Sequence, residues 1–332
     1  MVHRMSEDMK TSADVVVTGT ATPQPRMSPF VRRFKRDWQL HLLILLPIIW
    51  LLIFKYYPMY GAQIAFRNYR ARAGIWGSPW VGLKWFKKFF NSPDFLQILG
   101  NTIILAAYSL FITFPLPIMF ALMLNVLRNE KFKKFTQTVT YIPHFISVVV
   151  LVAILWQVFS PVNGLYGALF RLLGGEGYPS DIRSNASAFR HLYVWSAVWQ
   201  NLGWSSIIYL ASLSSVSNDL HEAAQLDGAS RWKRVVHVDL PTIIPTLGIM
   251  LILRCGHILS IGFEKVFLMQ NSLNLTKSEV ISTYVYKHGL QGNADFSFGT
   301  AVDLFNSVVN CFMLLAVNWI SKKASDDEVS LF

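Results

Sequence analysis

The chain has 332 residues, and 30 Lys and Arg against 19 Asp and Glu leave a formal net charge of +11. Hydrophobic residues make up 53% and charged residues only 15%, against roughly 25% charged in soluble domains. That is too little charge to coat a soluble enzyme of this length, and the apolar residues fall in long runs separated by basic stretches. The expected class is an all-α, polytopic membrane protein. The basic residues flank the apolar runs instead of forming one stripe, so lipid is an expected partner and nucleic acid is not. Cys255 and Cys311 both lie inside apolar runs, which excludes a disulfide framework or a cysteine-rich metal site. The first 30 residues show no apolar core with a small-residue cleavage site, so no removed signal peptide is expected.

In chain order, residues 1–37 read as an N-terminal tail, polar and disordered over 1–27 and then basic at Arg32, Arg33, Lys35 and Arg36. A transmembrane domain is expected over 38–323, followed by a short tail at 324–332. Its six predicted spans run from about Trp38 to Phe54, Ile98 to Leu124, Tyr141 to Phe159, His191 to Leu213, Leu240 to Gly262 and Phe298 to Ile320. Each is near the ~20 residues that cross hydrocarbon as a helix. Arg128, Lys131, Lys133 and Lys134 follow the second span, Arg231, Lys233 and Arg234 the fourth, and Lys322 and Lys323 the sixth. With the basic tail these share one side, which predicts that both termini are cytoplasmic. The loop 55–97 dissents, with Lys55, Arg67, Arg70, Arg72, Lys84, Lys87 and Lys88 on the outer side, but long loops weigh less in that rule. Within it Trp85, Phe86, Phe89 and Phe90 alternate with lysines, a pattern that suits a helix along the headgroups or one packed on the protein. Ser92-Pro93-Asp94 reads as a helix start. Pro47, Pro115, Pro117, Pro143 and Pro245 fall in or beside spans and predict bent helices around a wet cavity.

The segment between the fourth and fifth spans is the most informative. Glu222-Ala223-Ala224 favours helix, Asp227-Gly228 ends it, and Trp232, Val235, Val236 and Val238 give the next helix an apolar side before Leu240-Pro241. A compact helix–turn–helix with small residues at its tip suits docking into another protein's cleft; an ordinary capped turn is the bland alternative.

The pattern Glu222, Ala223, Ala224, Asp227, Gly228, Ala229, Leu240, Pro241 resembles the EAA loop of bacterial ABC-importer permeases, with Val235 and Val238 as conservative departures. Pro58-Met59-Tyr60-Gly61, Ala65-Phe66-Arg67-Asn68-Tyr69, Trp80–Phe86 and Asn101-Thr102 are similar to the carbohydrate branch. Leu251–His257 and Glu279–Tyr286 resemble a subgroup that imports complex oligosaccharides, where Asn is commoner at 257 and Asp at 282. The resemblance spans roughly residues 30–323. It implies a permease of the inner membrane that pairs with a second related permease, two ATP-binding subunits and an extracytoplasmic solute-binding protein. The loop 216–241 would be the coupling helix region seated on one ATPase, with Glu222, Ala223, Ala224, Asp227, Gly228 and Ala229 as the coupling residues. No cofactor is expected in this chain, which has no Gly-x-x-x-x-Gly-Lys-[Ser/Thr] loop; Mg-ATP would be bound and hydrolysed by the partners, so the chain is not an enzyme.

Polar residues inside spans are the substrate-pathway candidates. Arg254 and His257, three residues apart, suit a sugar carboxylate, with a fixed ion pair of Arg254 to Asp303 or Glu264 as the structural alternative. Asp303, Asn306 and Asn310 form one helical stripe that either lines the path or bonds between helices. Trp195 and Trp199 suit stacking on sugar rings or an interfacial belt. The expected cargo is an oligosaccharide, acidic (alginate- or pectin-derived) or a neutral plant one. A stand-alone proton-coupled carrier is the rival from another class, and it has only Asp303 to work with. A membrane-embedded enzyme has no His-Glu-x-x-His or Gly-x-Ser-x-Gly to work with.

Overall fold

The computed structural model describes residues 36–292 and 294–324; the tails expected at 1–35 and 325–332 lie outside the described residues. The chain divides after Tyr60 into two units. The described part of the first is mainly helix α1, Trp38–Leu51, continued by a π turn at Leu52–Tyr56 and a helical turn at Tyr57–Met59. It is apolar on every side and none of its residues is buried, the surface of a helix meant for lipid.

The second unit, Gly61–Phe332, is helical throughout its described core. Helix α2 (Lys84–Phe90) sits against it with Trp85 and Phe89 buried and its lysines outward, so the packed arrangement is the one that forms. Trp85 Nε1 also donates to Arg67 O at 2.9 Å. The second expected span appears as α3 (Phe95–Thr113) and α4 (Pro115–Val126), which meet at Phe114 because Pro115 offers no N–H to continue the ladder. Ser92 starts no helix; its Oγ accepts from Asp94 N at 3.3 Å and α3 begins a turn later.

The third expected span is not one helix. Helix α5 (Glu130–Tyr141) is capped by Asn129, whose side chain accepts from Lys131 N and Phe132 N at 3.1 Å each. A tight turn at Ile142–Phe145 follows, and α6 (Val148–Val158) restarts at an angle of 101°. Pro143 removes a donor, and Ser147 supplies a new cap to Val150 N at 3.3 Å. The fourth span appears as α7, Ala186–Leu213, the longer for its Asn185 cap.

The fifth span starts and ends earlier than expected, as one helical stretch over Arg231–Cys255. Two short turns, Arg231–Arg234 and the π stretch Val235–Asp239, lead into α8 (Leu240–Cys255), and residues 256–262 leave the helix. Gly256 is pressed against the last helix so closely that a Cβ would lie 2.5 Å from Leu314 Cδ1. A short helix α9 (Phe263–Met269) and the long α10 (Phe296–Ala324) complete the unit. Among the described residues four helical stretches are long and apolar enough to cross a membrane, with the bent α5–α6 pair as a fifth. Helix α7 has the length but, diluted by Arg190, His191, Gln200 and Asn201, is not among these apolar stretches.

Three apolar clusters hold the helices together. Phe89, Ile98, Tyr284 and Phe298 join α2, α3 and α10. Leu105, Val152, Phe189 and Met269 join α3, α6, α7 and α9, while Ile118, Tyr209 and Ile243 join α4, α7 and α8. Polar links sit where backbone groups are freed. Asn101 Nδ2 donates to the carbonyls of Thr276 (3.0 Å) and Glu279 (3.1 Å), and its Oδ1 accepts from Arg190 Nη2 at 2.8 Å. Asn310 Oδ1 accepts from Leu259 N at 3.0 Å, and its Nδ2 donates to Ser260 Oγ at 3.1 Å. Asn310→Leu strands the buried Leu259 N–H, which costs about 1–3 kcal/mol. The expected outcome is a lower thermal midpoint for the detergent-purified protein; an unchanged midpoint would show that this bond is dispensable.

Candidate functional site

Helices α3, α7 and α8 splay apart around a cavity of about 620 Å³, a volume within the range of small-ligand sites. One wall is the α7 face carrying Tyr193, Ala197, Asn201 and Ser205, spaced four residues apart. Ser109 and Thr113 come from α3, and Arg254 and His257 from the end of α8. Helix α8 stops at Cys255, so His257 is not on a continuous helical face with Arg254; it sits in the following turn, where its N–H donates to Arg254 O at 3.2 Å. Both side chains nonetheless line the same cavity.

Arg254 makes neither of the ion pairs considered for it. Among the described residues no carboxylate lies within ion-pair distance of its guanidinium, and Nη1 reaches only Thr113 Oγ1 at 3.4 Å. Its charge therefore faces the cavity rather than a fixed partner. Near the same place Lys265 of α9 is 7% exposed, and no carboxylate among the described residues lies within ion-pair distance of it. Its Nζ donates to Tyr193 O at 2.9 Å and lies 4.8 Å from the Tyr193 ring centroid. Burial pushes its ammonium pKa down to about 7, since desolvation disfavours the charged form.

The other pathway candidates stand elsewhere. Trp195 and Trp199 are exposed and do not line this cavity, and neither do Asp303, Asn306 and Asn310. Asn310 is occupied with the turn after α8, Asn306 is buried with its Oδ1 unpartnered, and Asp303 is exposed. The sequence reading passed over Tyr193, Ser109, Thr113, Ser205 and Lys265. The four-residue spacing on α7 is the signal in the sequence for part of that wall.

The second feature is the segment between α7 and α8. Ser217 caps a helix over Asn218–Leu226, accepting from Asp219 N at 3.2 Å. The helix ends in paired bonds, Ala229 N to Ala224 O at 2.9 Å and Gly228 N to Gln225 O at 3.1 Å, with Gly228 at φ +76°. This is the left-handed closure that the Asp-Gly pair predicts. Leu226 is 89% and Trp232 74% exposed, so the tip presents apolar side chains that none of the described residues covers. Glu222, Ala223, Asp227 and Gly228 are exposed beside them, while Ala224 and Ala229 are half-buried and line a small groove of about 300 Å³ with Lys233, Arg234 and His237.

Residues 114–325 match the family of binding-protein-dependent transport system inner membrane components. The chain belongs to this family. It is similar to protein LplB of Bacillus subtilis (strain 168), at 42% identity over 90% of this chain and 92% of that one. The polygalacturonan/rhamnogalacturonan transport system permease protein YteP of the same organism is 42% identical over 87% of this chain and 89% of its own. A crystal structure of a bacterial ABC transporter involved in import of the acidic polysaccharide alginate superposes with a TM-score of 0.81. It has 36% identity and covers 89% of this chain and 99% of the other. A second alginate transporter structure, in complex with an alginate pentasaccharide-bound periplasmic protein, gives the same TM-score of 0.81 with 90% of this chain covered. The permease is thus a multi-pass inner-membrane component of a carbohydrate ABC importer, and ATP hydrolysis belongs to partner subunits. In the permease, Gly228→Ala meets no neighbour within 4 Å, so its whole effect is the cost of a left-handed Ala, about 1 kcal/mol. Amide exchange at Ala229 should speed up about fivefold; unaltered protection would mean that the closure does not depend on glycine.

Proposed function

We propose that this permease moves acidic oligosaccharides, of the uronic-acid type found in alginate and pectin, by alternating access through the cavity at Arg254. The observation that carries the reading is the guanidinium itself: a membrane-embedded cation without a carboxylate partner, aimed into a cavity of ligand size. Guanidinium meets carboxylate through two parallel hydrogen bonds, and His257 adds a further donor. Hydroxyl and amide groups of Ser109, Thr113, Asn201 and Ser205 suit the sugar hydroxyls, and the apolar wall suits the ring faces. The relatives' named cargoes, polygalacturonan/rhamnogalacturonan and alginate, support the acidic class over a neutral oligosaccharide.

The same proposal assigns the segment 216–241 as the coupling loop, seated on one ATPase and cytoplasmic together with both termini. The basic residues at 128–134, 231–234 and 322–323 support that orientation. The uncovered Leu226 and Trp232 support a protein partner at the tip. A second permease and a solute-binding protein delivering the sugar at the outer face complete the assembly, in keeping with the bound periplasmic protein of the alginate importer.

The complete importer in proteoliposomes tests both halves. Arg254→Gln should raise the half-saturating concentration for a uronic-acid oligosaccharide about tenfold or more, from the loss of a charge-assisted pair worth roughly 1.5–3 kcal/mol. Uptake of a neutral oligosaccharide should be unaffected, and equal competition by neutral and acidic sugars in the wild type would reject the acidic reading. Glu222→Lys or Gly228→Pro should leave the permease in the membrane but abolish sugar-stimulated ATP hydrolysis. Retained stimulation would sink the coupling assignment.

A further inference from the structure

The helix at Asn218–Leu226 hangs from the rest of the chain by very little: of its residues only His221 and Ala224 are not exposed. His221 turns inward, where its Nε2 lies 3.2 Å from Asp239 Oδ1. Asp239 is 2% exposed and closes the π stretch that opens α8. The same oxygen accepts from Asn125 Nδ2 at 3.4 Å, and Asn125 is the penultimate residue of α4. One buried carboxylate therefore touches three elements. Arg234, on the turn before the π stretch, also faces it, with its own Nε buried and unpartnered.

A buried carboxylate is costly unless it is paired and hydrogen-bonded, and removing one partner of such a group costs several kcal/mol. Here the partners come from different helices, so the buried carboxylate keeps all of its hydrogen-bond partners only when the tip helix, α4 and α8 hold one mutual arrangement. Pulling the tip helix away takes His221 with it and leaves Asp239 with Asn125 and Arg234 alone. Helices α4 and α8 both reach the cavity, through Pro117 and through Met250, Leu253 and Arg254. We propose that Asp239, gripped by His221 and Asn125, is the joint through which displacement of the tip helix reaches the cavity walls. It is a positioning residue for coupled transport, and the proposal rests on the assignment of 216–241 as the coupling loop.

The test is the ratio of sugar imported to ATP hydrolysed by the complete importer with its binding protein. Asp239→Asn keeps size and hydrogen bonding but removes charge, and His221→Phe removes the tip-helix grip from a half-buried position. Each should lower the ratio about tenfold, and the double variant should be no worse than the poorer single one, since both act on one contact. Asp239→Glu should recover most of the ratio, which a residue needed only for folding would not show. A wild-type ratio in Asp239→Asn, or losses that multiply in the double variant, would overturn the joint. Should Asp239→Asn fail to assemble, His221→Phe decides: a lowered ratio supports the joint and a wild-type ratio overturns it. If Glu222→Lys and Gly228→Pro also leave ATPase stimulation intact, the coupling assignment has failed; if they abolish it while His221→Phe does nothing, only the joint has.

Discussion

In hydrocarbon no water repairs a broken helix, so every carbonyl or N–H freed by a bend must be met from within the protein. That constraint organises the second unit. The bend between α5 and α6 frees Ile146 O, and Gln200 of α7 donates to it at 2.8 Å. The turn after α8 frees Leu259 N, and Asn310 accepts it. The segment at 276–281 gives up two carbonyls to Asn101 and one N–H to Thr102 Oγ1 at 3.0 Å. In each case a side-chain amide or hydroxyl on one helix repairs a break in another. Bends and polar residues are two halves of the same device.

The cavity is the result. Straight helices would close against each other through their apolar faces, whereas helix α8 stops at Cys255 and its continuation swings into a turn, leaving room beside α3 and α7. Arg254 falls in the last turn before that stop, where its side chain reaches open space instead of a neighbour. The same termination that needs Asn310 thus also positions the cation. Asn310 does not touch the cavity, yet the geometry of its wall depends on the bond it makes.

Much of this was legible in the residues. The long apolar runs placed the principal helices, and Asp227-Gly228 forecast the left-handed closure of the tip helix. Arg254 and His257 were found because ionised or titratable groups in an apolar run stand out. The sharpness of the bend at 142–147 and the early end of α8 were not legible, because apolar runs look the same whether the helix continues or turns. Pro143 warned of the first, whereas the second depends on Leu314 and Asn310, more than fifty residues away. For the same reason the polar stripe at Asp303, Asn306 and Asn310 did not announce which member would serve the backbone. Trp195 and Trp199 show the remaining limit: a periodic pair identifies a face of a helix, and only packing determines what that face looks toward.

The bare Leu226 and Trp232 carry a consequence for the life of the polypeptide itself. On the proposed seating of this tip against an ATPase subunit, a copy without that neighbour keeps a sticky, protease-accessible handle. Its survival then follows mass action: the abundance of the neighbour sets how long an orphan lasts. Stoichiometry of the assembly would in this way be policed by the very surface that drives it, with surplus copies removed and matched ones sheltered.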